Sequence, residues 1–327
     1  MERSGLDVVV LRRANYGLST AAYARKLRER LPDDTVHHAR TPAEERRLIE
    51  SADVATGPGI DGALLERAEC LRLFAVVWSG YDHLPTETLA DRGVVVTNAA
   101  GVAAPTIAEQ TVGYLLAFGR ELFEARRRQY RREWRNFHPE EFRGDTVTVV
   151  GLGAIGRAVV DRLEGFGVDT VGVRYTPEKG GPTDEVVGFD QPAFHDALAK
   201  TDHLVVACRL SETTRGLIDA AALGTLPPDA TVVNVARGPV VDTEALVTAL
   251  QSNEIGAAAL DVTDPEPLPA DHPLWGFENV LVTPHNAGYT PARWERLADL
   301  VAHNVDRLRS ADYGDLRNVV RNPDGTL

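Results

Sequence analysis

The sequence predicts an α/β protein with two doubly wound parallel sheets, one domain inserted within the other. Three observations carry that expectation. Short β-branched runs alternate with helical segments through the first hundred residues, the pattern of a parallel sheet covered by helices. A second alternating set begins at "DTVTVVGLGAIG" and has the strand–helix count of a complete doubly wound domain. The segment after it is too short to fold alone, so it returns to the first domain. The expected division is 1–100 and 285–327 for one domain and 101–284 for the other, which suits a chain of 327 residues.

In the first domain, Asp7–Leu11, Thr35–Ala39, Asp53–Thr56, Leu73–Val77 and Val94–Thr97 read as strands. "TAAYARKLRERL" and "AEERRLIES" between them read as helices. A long helix is expected after Pro105, with Ile107, Thr111, Leu115, Phe118 and Leu122 spaced along one buried face. In the second domain the strands are Thr146–Val150, Thr170–Val173, His203–Ala207, Ala230–Asn234, Ala257–Asp261 and Val280–Thr283. "PARWERLADLVAHNVDRLRS" is the last helix.

Composition narrows the function classes. Apolar residues make up 43% of the chain, yet no apolar run approaches the roughly 20 residues that span a bilayer. A net charge of −13 argues against a nucleic-acid partner, although "RELFEARRRQYRREWR" concentrates arginine between Arg120 and Arg135. That segment reads as a solvated helix face or a subunit contact. Lysine occurs only at 26, 179 and 200, which suits either a salt-rich cytoplasm or a GC-rich genome. Two cysteines, Cys70 and Cys208, make no disulfide framework, so the expected location is cytoplasmic. No cluster of metal-ligand spacing stands out, and no metal is expected.

"VTVVGLGAIGRAVVDRLEGFG" joins a strand, a glycine turn and an amphipathic helix. Gly151 permits the tight turn, Gly153 lets the backbone approach a pyrophosphate, and Gly156 lets helix and strand pack closely. With Ala154 and Ile155 between them, these residues open the helix whose N–H groups and dipole would hold the phosphates of a dinucleotide. The motif makes this domain Rossmann-like. The following strand, "DTVGV", ends where such sites place an acidic residue on the adenosine ribose, and here Arg174 stands instead. A carboxylate repels a ribose 2′-phosphate, whereas a guanidinium fork matches its oxygens, and Tyr175 and Thr176 add hydroxyl donors. The expected cofactor is therefore NADP, with NADPH preferred over NADH.

Three further segments, "VVWSGYDHL", "VVNVARGPVVDTEAL" and "AALDVTDPEPLPADHPLWGFENVLVTPHNAGYT", complete the pattern. In their order and spacing, from about residue 50 onward, the sequence resembles the D-isomer-specific 2-hydroxyacid dehydrogenases. "HLVVACRLSETTRGLID" and "ALDVTDPEPLP" are most similar to the glyoxylate/hydroxypyruvate reductase branch. The resemblance implies that Arg237 binds substrate, Glu266 is the acidic member of a proton-handling pair, and His285 is the general acid/base. It also implies that Ser79 and Gly80 hold a substrate carboxylate through their N–H groups. Asp261 would touch the nicotinamide carboxamide, and Cys208, Arg209 and Ala236 would flank the cofactor.

The chemistry asks for the same residue types. Reducing a small 2-keto acid to a 2-hydroxy acid puts negative charge on the carbonyl oxygen, and a protonated histidine can donate there. A carboxylate on the other ring nitrogen sets the tautomer and favours the imidazolium. An arginine can pair with the substrate carboxylate while polarising the neighbouring carbonyl.

The departures from the family pattern also matter. Arg209 replaces a proline common among relatives, and either reaches the cofactor phosphates or occupies the cleft mouth. Trp78 either narrows the pocket toward small keto acids or packs the core. Glu266 speaks against a formate dehydrogenase, which carries glutamine there, and 285–327 leaves no room for the regulatory domain of many phosphoglycerate dehydrogenases. A homodimer is the family expectation. The alternative reading is a dinucleotide-sensing regulator or corepressor on the same fold.

Overall fold

A computed structural model describes residues 5–13, 17–81, 83–310 and 313–322. Its first elements are β1 (Asp7–Val10), α1 (Thr20–Arg30), β2 (Thr35–His38), α2 (Pro42–Leu48), β3 (Val54–Gly57), α3 (Gly62–Glu66), β4 (Leu73–Val76), α4 (Thr86–Asp91) and β5 (Val95–Thr97). Next come α5 (Ala104–Gly119), α6 (Leu122–Arg131), β6 (Thr146–Val150), α7 (Ala154–Leu163), β7 (Asp169–Val173), β8 (Glu185–Val187) and α8 (Gln191–Leu198). They are followed by β9 (His203–Val206), α9 (Ala220–Leu223), β10 (Thr231–Asn234), α10 (Thr243–Gln251), β11 (Ala257–Leu260) and β12 (Val280–Val282). Last are α11 (Arg293–Arg309) and β13 (Val319–Arg321).

The chain divides into two compact units, Met1–Val102 with Tyr289–Leu327, and Ala103–Gly288. These divisions lie slightly later than those expected from sequence. Residues 285–288 stay with the second unit because the Asp261 carboxylate holds the Asn286 and Ala287 amides.

The first unit is a six-stranded sheet of order β13-β5-β4-β3-β1-β2. Its strands are parallel except β13, which runs antiparallel to β5. Val8 and Val10 face one core while Val9 and Leu11 face another, so β1 is buried on both sides. This is why its sequence is a continuous apolar run. Tyr23 on α1 stacks on Trp294 of α11 at 4.7 Å between ring centroids, so the returning segment supplies part of this core.

The second unit is a seven-stranded, all-parallel sheet of order β12-β11-β10-β9-β6-β7-β8. Strand order reverses between β6 and β9, and ligands of doubly wound sheets bind at the carboxyl ends beside such a switch.

One expected helix is two. α5 ends at Gly119, and Glu121, at φ 52°, turns the chain before α6 begins. Thr111 and Leu115 are buried as the spacing predicts, but Leu122 lies past the break and is 53% exposed. The arginines of α6 fold this segment onto itself. Arg127 and Arg128 pair with Glu124, Arg126 lies over the Tyr130 ring, and Arg128 also donates to the Arg135 and Asn136 carbonyls. No described helix is long and apolar enough to cross a membrane.

Candidate active site

The glycine turn after β6 has the shape its sequence requires. Gly151 sits at φ 101°, where a side chain is strained, and a Cβ there would come 2.5 Å from the Cys208 Cα. A Cβ on Gly156 would collide with the Gly151 carbonyl oxygen, so helix α7 presses against the turn. Gly153 differs: a Cβ there would meet nothing within 4 Å. It is the N-cap of α7 and makes no side-chain cap bond, so it leaves the amides of the first turn, at Ala154 and Ile155, uncapped. A pyrophosphate fits this cradle, which combines unshielded N–H groups with the positive end of a helix dipole.

Arg174 follows β7, with its amide bonded to the Val187 carbonyl and one guanidinium nitrogen donating to the Gly180 carbonyl at 2.5 Å. Arginine has five N–H donors in a fork, so this bond sets the side chain's direction and leaves donors for a ligand. Tyr175 is 78% exposed beside it. Cys208 is buried against the glycine turn, and burial pushes its thiol up to about 11, so it packs there as a neutral group. Arg209 is exposed on the loop after β9, and its carbonyl accepts from the Thr214 hydroxyl.

The chemical residues lie at the carboxyl ends of β10, β11 and β12, which are neighbours in the sheet. Arg237 follows β10 in extended conformation, exposed, with its guanidinium donating to the Ala236 carbonyl at 2.7 Å. Asn234 braces this turn: its side chain accepts from the Ala236 amide and donates to the Arg237 carbonyl. The next residue, Gly238, packs against the Thr263–Asp264 backbone so closely that a Cβ would clash. The Arg237 turn and the loop bearing Glu266 are thereby held against each other.

Glu266 and His285 meet across the ends of β11 and β12. His285 Nδ1 lies 2.6 Å from Glu266 Oε1, and both side chains are 40% exposed. A carboxylate only accepts, so Nδ1 is the donor of this contact and Nε2 takes no part in it. The His285 backbone is left-handed, at φ 51°, an uncommon conformation for a side-chain-bearing residue. Asp261 is buried below it and accepts from the Asn286 and Ala287 amides and the Thr283 hydroxyl. The roles of Asn234 and Thr283 escaped the sequence reading, although both stand inside quoted motifs, "NVARG" and "TPHNAG".

In the first unit, Ser79 and Gly80 follow β4. The Ser79 carbonyl accepts from the Asn98 side chain at 2.6 Å, and Arg293 donates to the Val77 carbonyl just before. Trp78 is 36% exposed with its ring 5.2 Å from His83, so it does not pack the core. No group of three or more metal-ligating side chains is found among the described residues.

Residues 112–287 match the model of the D-isomer specific 2-hydroxyacid dehydrogenase NAD binding domain. The chain belongs to the D-isomer-specific 2-hydroxyacid dehydrogenase family. As a member it is an NAD(P)-dependent D-2-hydroxyacid dehydrogenase, with a nicotinamide dinucleotide as cofactor. A glyoxylate reductase of Thermofilum pendens is 36% identical over 253 residues, covering 75% of this chain and 74% of the relative. A family structure from Xanthobacter autotrophicus in complex with NADPH and MES superposes with TM-score 0.79 at 29% identity, covering 98% of this chain and 99% of that one. An NADPH-dependent glyoxylate/hydroxypyruvate reductase of Sinorhizobium meliloti gives TM-score 0.74 at 28% identity, covering 96% and 97%. The similarity lies with the glyoxylate reductase branch.

Proposed function

We propose that this dehydrogenase reduces small 2-keto acids, of the glyoxylate and hydroxypyruvate class, to D-2-hydroxy acids with NADPH preferred over NADH. The observation that carries the reading is the 2.6 Å contact of His285 Nδ1 with Glu266 Oε1. It leaves His285 Nε2 to donate a proton to the carbonyl oxygen as negative charge develops there. The bound dihydronicotinamide supplies the hydride. Glu266 holds the imidazole ring and offsets the positive charge of the imidazolium. Arg237 pairs with the substrate carboxylate and draws charge toward the adjacent carbonyl.

Support for NADPH comes from Arg174, where a carboxylate would repel the 2′-phosphate, and from relatives described with NADPH. A homodimer is part of the same proposal. It would use the groove of about 590 Å³ along α5 and α6, lined by Gly113, Ala117, Leu122 and Phe123 among others. Two free cysteines suit a cytoplasmic enzyme. Steady-state rates with NADPH and with NADH, against glyoxylate, hydroxypyruvate, pyruvate and bulkier 2-keto acids, test the reading. Turnover confined to bulky acids, or a higher kcat/KM with NADH, would overturn the substrate or the cofactor assignment respectively.

A further inference from the structure

We propose that Tyr114 and Thr283 are positioning residues for His285, acting in series through the Asp261 carboxylate. This rests on the reading of His285 as the proton donor. The geometry is a continuous chain of short hydrogen bonds. Asp261 is 3% exposed at the end of β11, and Thr283 Oγ1 donates to its Oδ1 at 2.5 Å. The same oxygen accepts from the Asn286 amide at 2.8 Å, and both carboxylate oxygens accept from the Ala287 amide. The Asp261 backbone carbonyl accepts from the His285 amide at 2.8 Å. One aspartate therefore holds the backbone on both sides of a histidine whose left-handed conformation does not hold itself.

Beyond Thr283 the chain continues to α5. The Tyr114 hydroxyl lies 2.6 Å from Thr283 Oγ1. A threonine hydroxyl has one proton, and the carboxylate claims it, so the tyrosine must be the donor of this bond. The polarity runs one way, from the Tyr114 O–H to the Thr283 O–H to the Asp261 carboxylate. Tyr114 is 2% exposed, and burial raises its phenol above the ordinary value, so it remains a neutral donor at any working pH. Charge-assisted bonds to a buried carboxylate are strong, and in series they polarise one another. The family resemblance gives Asp261 only a contact with the nicotinamide. Here its carboxylate also sets the loop that aims His285 at Glu266, and Tyr114 ties that loop to a helix that lines the apolar groove.

The test compares Thr283→Val, Thr283→Ser, Tyr114→Phe and the Tyr114→Phe/Thr283→Val double variant with the wild type, using NADPH and glyoxylate. Thr283→Val should lower kcat about ten- to a hundredfold, with a much smaller change in KM, since a misplacement of about 1 Å costs on that order. Its kcat–pH profile should shift, and Thr283→Ser should restore both rate and profile. Tyr114→Phe should show a milder loss, and the double variant should be no worse than Thr283→Val, as expected for groups in series. Faster amide exchange at Asn286 and Ala287 in Thr283→Val reads the loop without activity. The proposal is overturned if kcat and amide exchange are unchanged in Thr283→Val and in Tyr114→Phe. A rate loss that merely follows thermal stability, with an unshifted pH profile and no rescue by serine, overturns it too. If His285→Ala turned over normally, the His285 reading would fail, while the amide exchange would still decide whether Thr283 and Tyr114 position the loop.

Discussion

His285 Nδ1 and Glu266 Oε1 stand 2.6 Å apart although 19 residues separate them in the chain. The contact engages one ring nitrogen of the imidazole and leaves Nε2 outside the pair. A second relationship supports it, since Asp261 binds the backbone immediately after His285. The pair thus sits at the junction of two neighbouring strand ends, where the backbone is anchored and the side chains reach solvent.

Replacing Glu266 with glutamine keeps a hydrogen-bond partner but removes the charge. We expect kcat with glyoxylate to fall roughly 10²-fold or more, within the range of general acid–base contributions. His285→Ala should abolish turnover while NADPH still quenches protein fluorescence. Retention of most activity by either variant would remove that residue from the proton-handling pair.

Arg174→Asp should lower the ratio of kcat/KM for NADPH over that for NADH by roughly ten- to a hundredfold, the value of a lost charge-assisted hydrogen bond. An unchanged ratio would mean that the guanidinium serves only its bond to Gly180.

The glycine turn separates folding from binding. Gly156→Ala places a Cβ against the Gly151 carbonyl and should cost about 1–3 kcal/mol in denaturant unfolding. Gly153→Ala meets no protein atom, so stability should hold while the NADPH dissociation constant rises. Loss of stability in Gly153→Ala with unaltered binding would contradict the cradle.

Thiol reactivity follows burial. Cys70 is exposed, while the Cys208 thiol is buried and pushed up to about 11. At pH 8 a disulfide reagent should label Cys70 alone in the native protein, with Cys208 reacting only after unfolding. Rapid native labelling of both would show that the backbone around the glycine turn opens.

Leu122 presents an apolar side chain at the α5–α6 groove. If this groove seats a second copy, Leu122→Glu should halve the mass measured by sedimentation at micromolar concentration. An unchanged mass would place any dimer contact elsewhere.

Both parallel sheets and the glycine turn were legible because they depend on patterns local in sequence. β1 reads as "DVVV" because both its faces are buried, and Gly151 reads as glycine because its φ demands one. β8 and β13 were not legible: each is a three-residue edge strand in which a charged residue, Glu185 or Arg321, leaves only two apolar positions, whereas β12 is the apolar run VLV. Leu122 was misplaced because helical spacing carries no sign of a break, and Glu121 adopts its left-handed turn without glycine.

The parallel-sheet class, the glycine turn and the residues that stand at the strand ends could be read from the chain alone, since alternation, glycine spacing and residue chemistry are properties of short stretches. Tertiary structure alone decided which of those residues touch. The Tyr114–Thr283 bond joins positions 169 residues apart, and no local rule specifies it. It exists because strand order β12-β11-β10 sets the ends of β11 and β12 side by side, with α5 packed close enough for its tyrosine to reach them.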